Sequence, residues 1–172
     1  GGRALATSAV ACGEGKRDSQ TARAEYVKAR KTWADRQQLL SGPLAEGNRC
    51  WQVQFWPDKK NLVGRQVEQL IAAQPAVSVE ELTKASVVVQ GLSAYEYILF
   101  DAGIDMANSE QKARYCPLLT AIGARQKMLA EEILTGWNSN DGMLAQLSKF
   151  PNNRYADSHE AIAELLRVQV TA

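Results

Sequence analysis

The sequence predicts an all-α fold, an up-and-down helical bundle of the four-helix type. Apolar residues recur at three- and four-residue spacing along most of the chain, and no pair of alternating segments could form a sheet. The chain has 172 residues, 45% of them hydrophobic, which is enough for one domain with a substantial core. We therefore predict a single helical-bundle domain over residues 1–172.

The first amphipathic segment covers residues 21–40, where Tyr26 and Trp33 recur at helical spacing. Glycine and proline in residues 41–49 end this helix. Residues 50–61, CWQVQFWPDKKN, alternate aromatic and polar side chains but have no partner strand, so we predict an extended connection. The whole loop from Ser41 to Asn61 is long for a bundle connection, so we expect either a functional loop or tryptophans that plug the bundle end.

Residues 62–71 carry the next apolar helical stripe. Ser78 and Glu81 then have the spacing of a capping box, in which each side chain bonds the other's backbone amide. We predict a helix over residues 78–100, with a break near Gly91.

The last part of the chain predicts a longer helix and a final one. Apolar residues continue through residues 118–133, with Pro117 marking a kink or restart. Asp157 or Ser158 can cap the final helix. That helix, AIAELLRVQVTA, has no usual stop signal, so we expect the natural sequence to continue.

Charge and hydropathy exclude several classes of partner. With 20 basic and 19 acidic residues, the net charge of +1 creates no field that would favour nucleic acid as the main partner. No apolar run is long enough for a membrane span.

Cys12, Cys50 and Cys116 lack the close spacing of zinc ligands. Their state depends on the compartment: in an oxidising one two could pair and leave an odd thiol, and in the cytosol all three could be buried thiols.

The residue types also limit the chemistry. His159 is the sole histidine, which excludes a histidine-rich zinc site within this chain and disfavours a hydrolytic triad. Its position in the first turn of the last helix favours a surface residue beside a cap.

Glu96 is the most unusual side chain, because it interrupts the apolar segment GLSAYEYILFD. On a helix, Ser93 would share its face, so a hydroxyl and a carboxylate could converge on one ligand. The structural alternative is an ion pair of Glu96 with Arg65 or Lys59.

Two long blocks, LSGPLAEGNRCWQVQFWPDKKNLVGRQV at residues 40–67 and SVVVQGLSAYEYILFD at residues 86–101, resemble the imelysin-like family. Its members are exported bacterial proteins, often lipoproteins, grouped with metallopeptidases and implicated in iron uptake. The resemblance implies two helical bundles with a GxHxxE motif near their interface, so this chain would be the N-terminal half of a longer protein.

Mapped onto this sequence, the motif's glycine is Gly91 and its glutamate is Glu96, while Ser93 replaces its histidine. A serine hydroxyl is a poor substitute for imidazole as a transition-metal ligand. The resemblance implies Glu96 as a metal ligand for iron or another divalent cation, and a ligand site lined by Ser93, Glu96, Trp56, Asp58 and Arg65.

The resemblance implies a periplasmic protein, lipid-anchored through a removed N-terminal segment, that acts as a binding or accessory component of metal uptake. Its partners would be the C-terminal half, a metal ion and a membrane iron-uptake component. In the periplasm, two of the three cysteines would pair. One alternative is a metallopeptidase completed by the other half, with Glu96 as base or ligand; another is an interaction module in which Glu96 is structural.

Overall fold

The structure is a computed structural model that describes residues 6–7, 12, 19–37 and 41–171. Across these residues it is an all-α helical bundle without strands, as the sequence predicts. The α-helices are α1 (Ser19–Gln37), α2 (Arg49–Val53), α3 (Leu62–Ala73), α4 (Val79–Lys84), α5 (Leu92–Phe100), α6 (Ser109–Asn138), α7 (Met143–Gln146) and α8 (Ser158–Thr171), with short 3-10 helices at Gly42–Leu44 and Val87–Val89.

Helix α6 is the centre of the bundle, because α3, α4, α5 and α7 all contact it. It continues through Pro117, so the predicted restart there is wrong. Proline removes one amide hydrogen bond, but Leu118, Leu119 and Ile122 directly after it are fully buried and hold the helix in place. Helix α1 packs on α5. Residues 38–40, the predicted end of the first helix, lie outside the described residues.

The aromatic connection differs from its prediction, since residues 49–53 form the short helix α2 and only the residues after it are extended. The backbone amide of Gln54 bonds the carbonyl oxygen of Cys50, a helical contact. Trp51 and Phe55 lie 5.5 Å apart between ring centroids, so an aromatic side chain of α2 packs on one of the extended residues after it.

The segment predicted as one helix over residues 78–100 is three pieces: α4, the 3-10 helix Val87–Val89 and α5. Its predicted start is confirmed, because Ser78 and Glu81 form both bonds of the capping box. The break is longer than predicted because the hydroxyl of Ser86 accepts from the amide of Val88 and begins a new turn.

Asp157 caps the last helix, α8, by accepting hydrogen bonds from the amides of His159 and Glu160 at 2.8 and 3.1 Å. A disulfide joins Cys12 to Cys116 in α6 and leaves Cys50 free. No helix among residues 6–7, 12, 19–37 and 41–171 is long and apolar enough to cross a membrane.

Candidate functional site

Gly91 stands where the backbones of α2 and α5 come closest. Its φ of −119° is open to any residue, but a Cβ there would lie 2.5 Å from the carbonyl oxygen of Val53 and 2.6 Å from that of Gln52. A side chain would therefore push the end of α2 away from the start of α5. The motif's glycine has a packing role in this chain.

Gln126 of α6 stabilises the same contact between the end of α2 and the start of α5, which we call the Gly91 junction. Its side chain is buried, and its Nε2 donates to the carbonyl oxygens of Gln52 at 2.8 Å and Gln90 at 3.0 Å. Arg125 is buried beside it and donates to the Gln52 side chain at 3.0 Å. These contacts hold Gln52 of α2 and Gln90, the residue before Gly91, in fixed positions.

Ser93 connects α5 to the extended segment that follows α2. Its hydroxyl donates to the carbonyl oxygen of Phe55 at 2.7 Å. This bond fixes Phe55, the residue before Trp56. The side chain of Trp56 is 68% exposed. The structure thus brings Ser93 and the aromatic segment together through a hydrogen bond in which the Ser93 hydroxyl donates to the backbone.

Glu96 lies half-buried on α5 and belongs to no ion pair of the described residues. The predicted ion pair with Arg65 or Lys59 is therefore wrong: Arg65 donates instead to the carbonyl oxygens of Lys60 and Asn61, at 3.3 and 3.4 Å. Backbone carbonyls at the start of α3 satisfy the guanidinium locally, so it does not reach the carboxylate.

The side chain that responds to Glu96 is Tyr26 of α1. Burial raises the pKa of the Tyr26 hydroxyl, the Glu96 carboxylate raises it further, and Arg30 opposes both effects. The contact falls short of normal hydrogen-bond geometry, because the buried Tyr26 oxygen has no partner that meets it. Tyr26 is held in this place by stacking on Tyr95, with ring centroids 6.2 Å apart.

Asp58 is a helix cap. Its carboxylate accepts from the amides of Leu62 at 2.7 Å and Val63 at 3.0 Å, so it occupies the start of α3. Burial acts to raise its pKa, but hydrogen bonds from Val63, Leu62 and Lys60 and the charge of Arg65 together lower it. Of the five predicted site residues, Asp58 and Arg65 thus have structural contacts that explain them.

Sequence reasoning missed a polar cluster on Glu68 of α3. One carboxylate oxygen accepts from the hydroxyls of Tyr115 at 2.7 Å and Tyr97 at 3.1 Å, and the other pairs with Arg114 at 2.9 Å. Burial, and then the bond to Glu68, raise the pKa of Tyr115 to about 12. Tyr97, the residue after Glu96, was the signal: a tyrosine in an apolar helix needs a partner for its hydroxyl.

Comparison with known families decides the assignment. The model of the imelysin family, described as an M75 peptidase family, matches residues 3–172. The chain belongs to the imelysin family. No curated protein and no solved structure matches the chain significantly.

The donors expected of an imelysin metal site fit only in part. Among the described residues, no group of three His, Cys, Asp or Glu side chains could hold a metal ion. Ser93, at the motif's histidine position, already donates its proton to Phe55. His159 is exposed and lies 3.8 Å from its own cap residue Asp157, as a surface histidine would. Glu96 is thus the one motif side chain with free oxygen atoms, and the described residues do not make a transition-metal site by themselves.

Proposed function

We propose that this imelysin-family chain is an exported binding or accessory component of bacterial iron or metal acquisition, acting through the segment Gly91 to Glu96. The disulfide between Cys12 and Cys116 supports export, because disulfides persist in oxidising compartments such as the periplasm. We place the protein in the periplasm, and the family resemblance adds a lipid anchor on its N-terminal side.

The observation that carries the proposal is the state of Glu96. A carboxylate held half-buried next to apolar and aromatic neighbours normally has a cation or several donors. Within the described residues, Glu96 has only the imperfect contact with Tyr26. Glu96 also stands at the position of the motif's acid.

The ligand of this carboxylate is iron or another divalent cation, carried as cargo. A single carboxylate oxygen suits oxygen-binding cations better than soft ones, and one ligand cannot hold a cation tightly. The remaining ligands come from the C-terminal half of the same protein or from a membrane uptake component. Glu96 is then one contact of a shared site rather than a complete site.

Binding is favoured over peptide hydrolysis. Metal-assisted hydrolysis needs a firmly held metal with an open position and a separate base for the water. At the motif, Glu96 would have to serve both purposes, since Ser93 is bonded to Phe55.

Calorimetry with Fe²⁺ and Zn²⁺ on the full-length protein tests this proposal, together with elemental analysis of the purified protein. We expect binding that weakens at least about tenfold in Glu96→Gln, the usual effect of losing one contact at such a site. Glu131→Gln, an exposed glutamate on α6, is the matched control and should bind as the unchanged protein does. Absence of binding above background in the unchanged protein would overturn the proposal, and loss of peptide cleavage in Glu96→Gln would favour the metallopeptidase instead.

A further inference from the structure

A cavity of about 530 Å³ lies between α1 and α6. One face of α1 lines it with Ala29, Trp33 and Arg36, at the spacing of successive helical turns. Leu129, Ile133 and Trp137 line it from α6 in the same way. The cavity is open to solvent, because Thr32, Arg36 and Ala130 in its lining are exposed, and its volume is in the range of small-molecule sites.

The floor of the cavity is rigid. Val53 and Leu92, which flank the Gly91 contact, form part of it. Gln126 also lines it, and its amide nitrogen is fixed by the carbonyl oxygens of Gln52 and Gln90. A floor held by hydrogen bonds cannot collapse into the space above, so the volume persists without a ligand.

Charge in the cavity has one sign. Arg36 is its only charged residue among those that the structure describes there, and no acid lines the wall. The described residues give the Arg36 guanidinium no hydrogen bond or ion pair. An exposed guanidinium at the edge of an apolar cavity favours an anion with an apolar body.

A second polar group supports the same ligand. Ser41 lines the cavity, is only 7% exposed, and its hydroxyl makes no hydrogen bond in residues 19–37 and 41–171. This hydroxyl can therefore donate to a ligand in the cavity. The indole Nε1 of Trp33 in the same wall is buried and has no partner in the described residues, and buried polar atoms usually have one. Arg36 and Ser41 together can donate to the oxygens of a carboxylate.

We propose that this cavity binds an amphipathic carboxylate, a molecule with an aliphatic body and a single acidic head. The aliphatic body lies between the faces of α1 and α6, against Trp33 and Trp137. The head lies at Arg36 and Ser41. Neither Glu96 nor Ser93 lines the cavity, so this is a separate binding activity of the protein and does not rest on the metal proposal.

Titration of the full-length protein with dodecanoate, below its micellar concentration and followed by tryptophan fluorescence and calorimetry, tests the inference. Saturable binding is expected, because Trp33 and Trp137 both line the site. Dodecanol, which has the same chain and no charge, should bind about tenfold more weakly, the factor that corresponds to one charge-assisted hydrogen bond. No saturable binding of dodecanoate, or equal binding of both molecules, would overturn the proposal.

Variants locate the site and its charge. Arg36→Gln should reduce dodecanoate affinity about tenfold and leave dodecanol unchanged. Lys31→Gln removes an exposed cation of the same helix outside the cavity and should change neither. Equal affinities of these two variants for dodecanoate would refute the role of Arg36.

Two further variants fill the cavity from opposite walls. Ala130→Phe acts from α6, and Thr32→Phe acts from α1, where the threonine hydroxyl bonds only the carbonyl of Lys28 in its own helix. Each variant that keeps its circular dichroism spectrum should lose binding of both molecules. Binding that survives in such a folded variant would place the ligand elsewhere and reject the proposal; if one variant fails to fold, the other decides.

Discussion

The hydroxyl of Ser93 donates a 2.7 Å hydrogen bond to the carbonyl oxygen of Phe55, across 38 residues of sequence. The position that carries histidine in the family motif is thereby used to fasten the aromatic segment after α2 to the start of α5. Both the Gly91 contact and the exposed Trp56 depend on that attachment.

Replacing Ser93 with alanine should lower the free energy of unfolding by about 1 kcal/mol, because the Phe55 carbonyl loses its partner. Trp56 fluorescence should also shift, since the residue before it is released. Denaturant unfolding measures the first effect and emission spectra the second. Ser148→Ala is the control: its hydroxyl bonds only carbonyls of the short helix α7 directly before it, so less than about 0.5 kcal/mol should be lost. Equal losses in both variants would contradict the importance of the Phe55 bond.

Replacing Gly91 with alanine should destabilise the protein by about 1–3 kcal/mol or more, because the new methyl group would meet two backbone carbonyls that cannot rotate away. Thermal unfolding measures the loss. Gly103→Ala is the comparison, where a methyl group would meet only the exposed side chain of Asp101 at 3.1 Å. The account of the junction fails if Gly91→Ala is as stable as Gly103→Ala.

Much of the fold could be predicted from the sequence, because helix starts and stops are local. The capping box of Ser78 and the cap at Asp157 follow from neighbouring residues alone. The short helix α2 could not, because residues 51–55 alternate apolar and polar side chains as in a strand, and the contact of α2 with α6 is not visible in a local pattern.

The contacts of the predicted site residues could not be predicted from the sequence. The roles of Asp58 and Arg65 depend on how α3 begins, where Asn61 has a left-handed backbone with φ of 50°. Gln126 was overlooked as a polar residue of a helix, although it stands between Ile122 and Leu129 in the apolar stripe of α6 and is buried with them. Its role requires the distant carbonyls of Gln52 and Gln90, which no local pattern shows.

Stability should fall at alkaline pH through Tyr115. Its pKa is about 12 in the folded protein, while an unfolded tyrosine ionises near 10. The folded state therefore holds its proton more tightly, so this contribution is complete below about pH 10 and is lost as the pH rises to about 12. In Tyr115→Phe, the decrease of the unfolding free energy over that interval should be smaller. Identical decreases in the two proteins would show that Tyr115 does not contribute.

Reduction of the disulfide should strongly destabilise the protein. Cys12 and Cys116 are 104 residues apart, and closing a loop of that size contributes about 4–5 kcal/mol. Unfolding with and without a thiol reductant measures this difference. Cys50→Ala, which removes the free thiol that contacts the Leu44 carbonyl, should cost no more than about 1 kcal/mol and leave the response to reductant unchanged. A reductant effect within about 1 kcal/mol would contradict the disulfide.

The Glu96→Gln variant distinguishes a functional role of this carboxylate from a structural one. If the carboxylate serves a ligand, Glu96→Gln should unfold at the same temperature as the unchanged protein or higher, because the described residues give it no ion pair to lose. Cation binding by the full-length variant should fall at least about tenfold at the same time.

Thermal unfolding and Fe²⁺ calorimetry of one preparation of full-length Glu96→Gln, beside Glu131→Gln, decide between these roles. We predict unchanged stability with weakened binding in the Glu96 variant and neither change in the Glu131 variant. A Glu96→Gln protein that melts several degrees lower while binding the cation as well as before would show that the acid is structural.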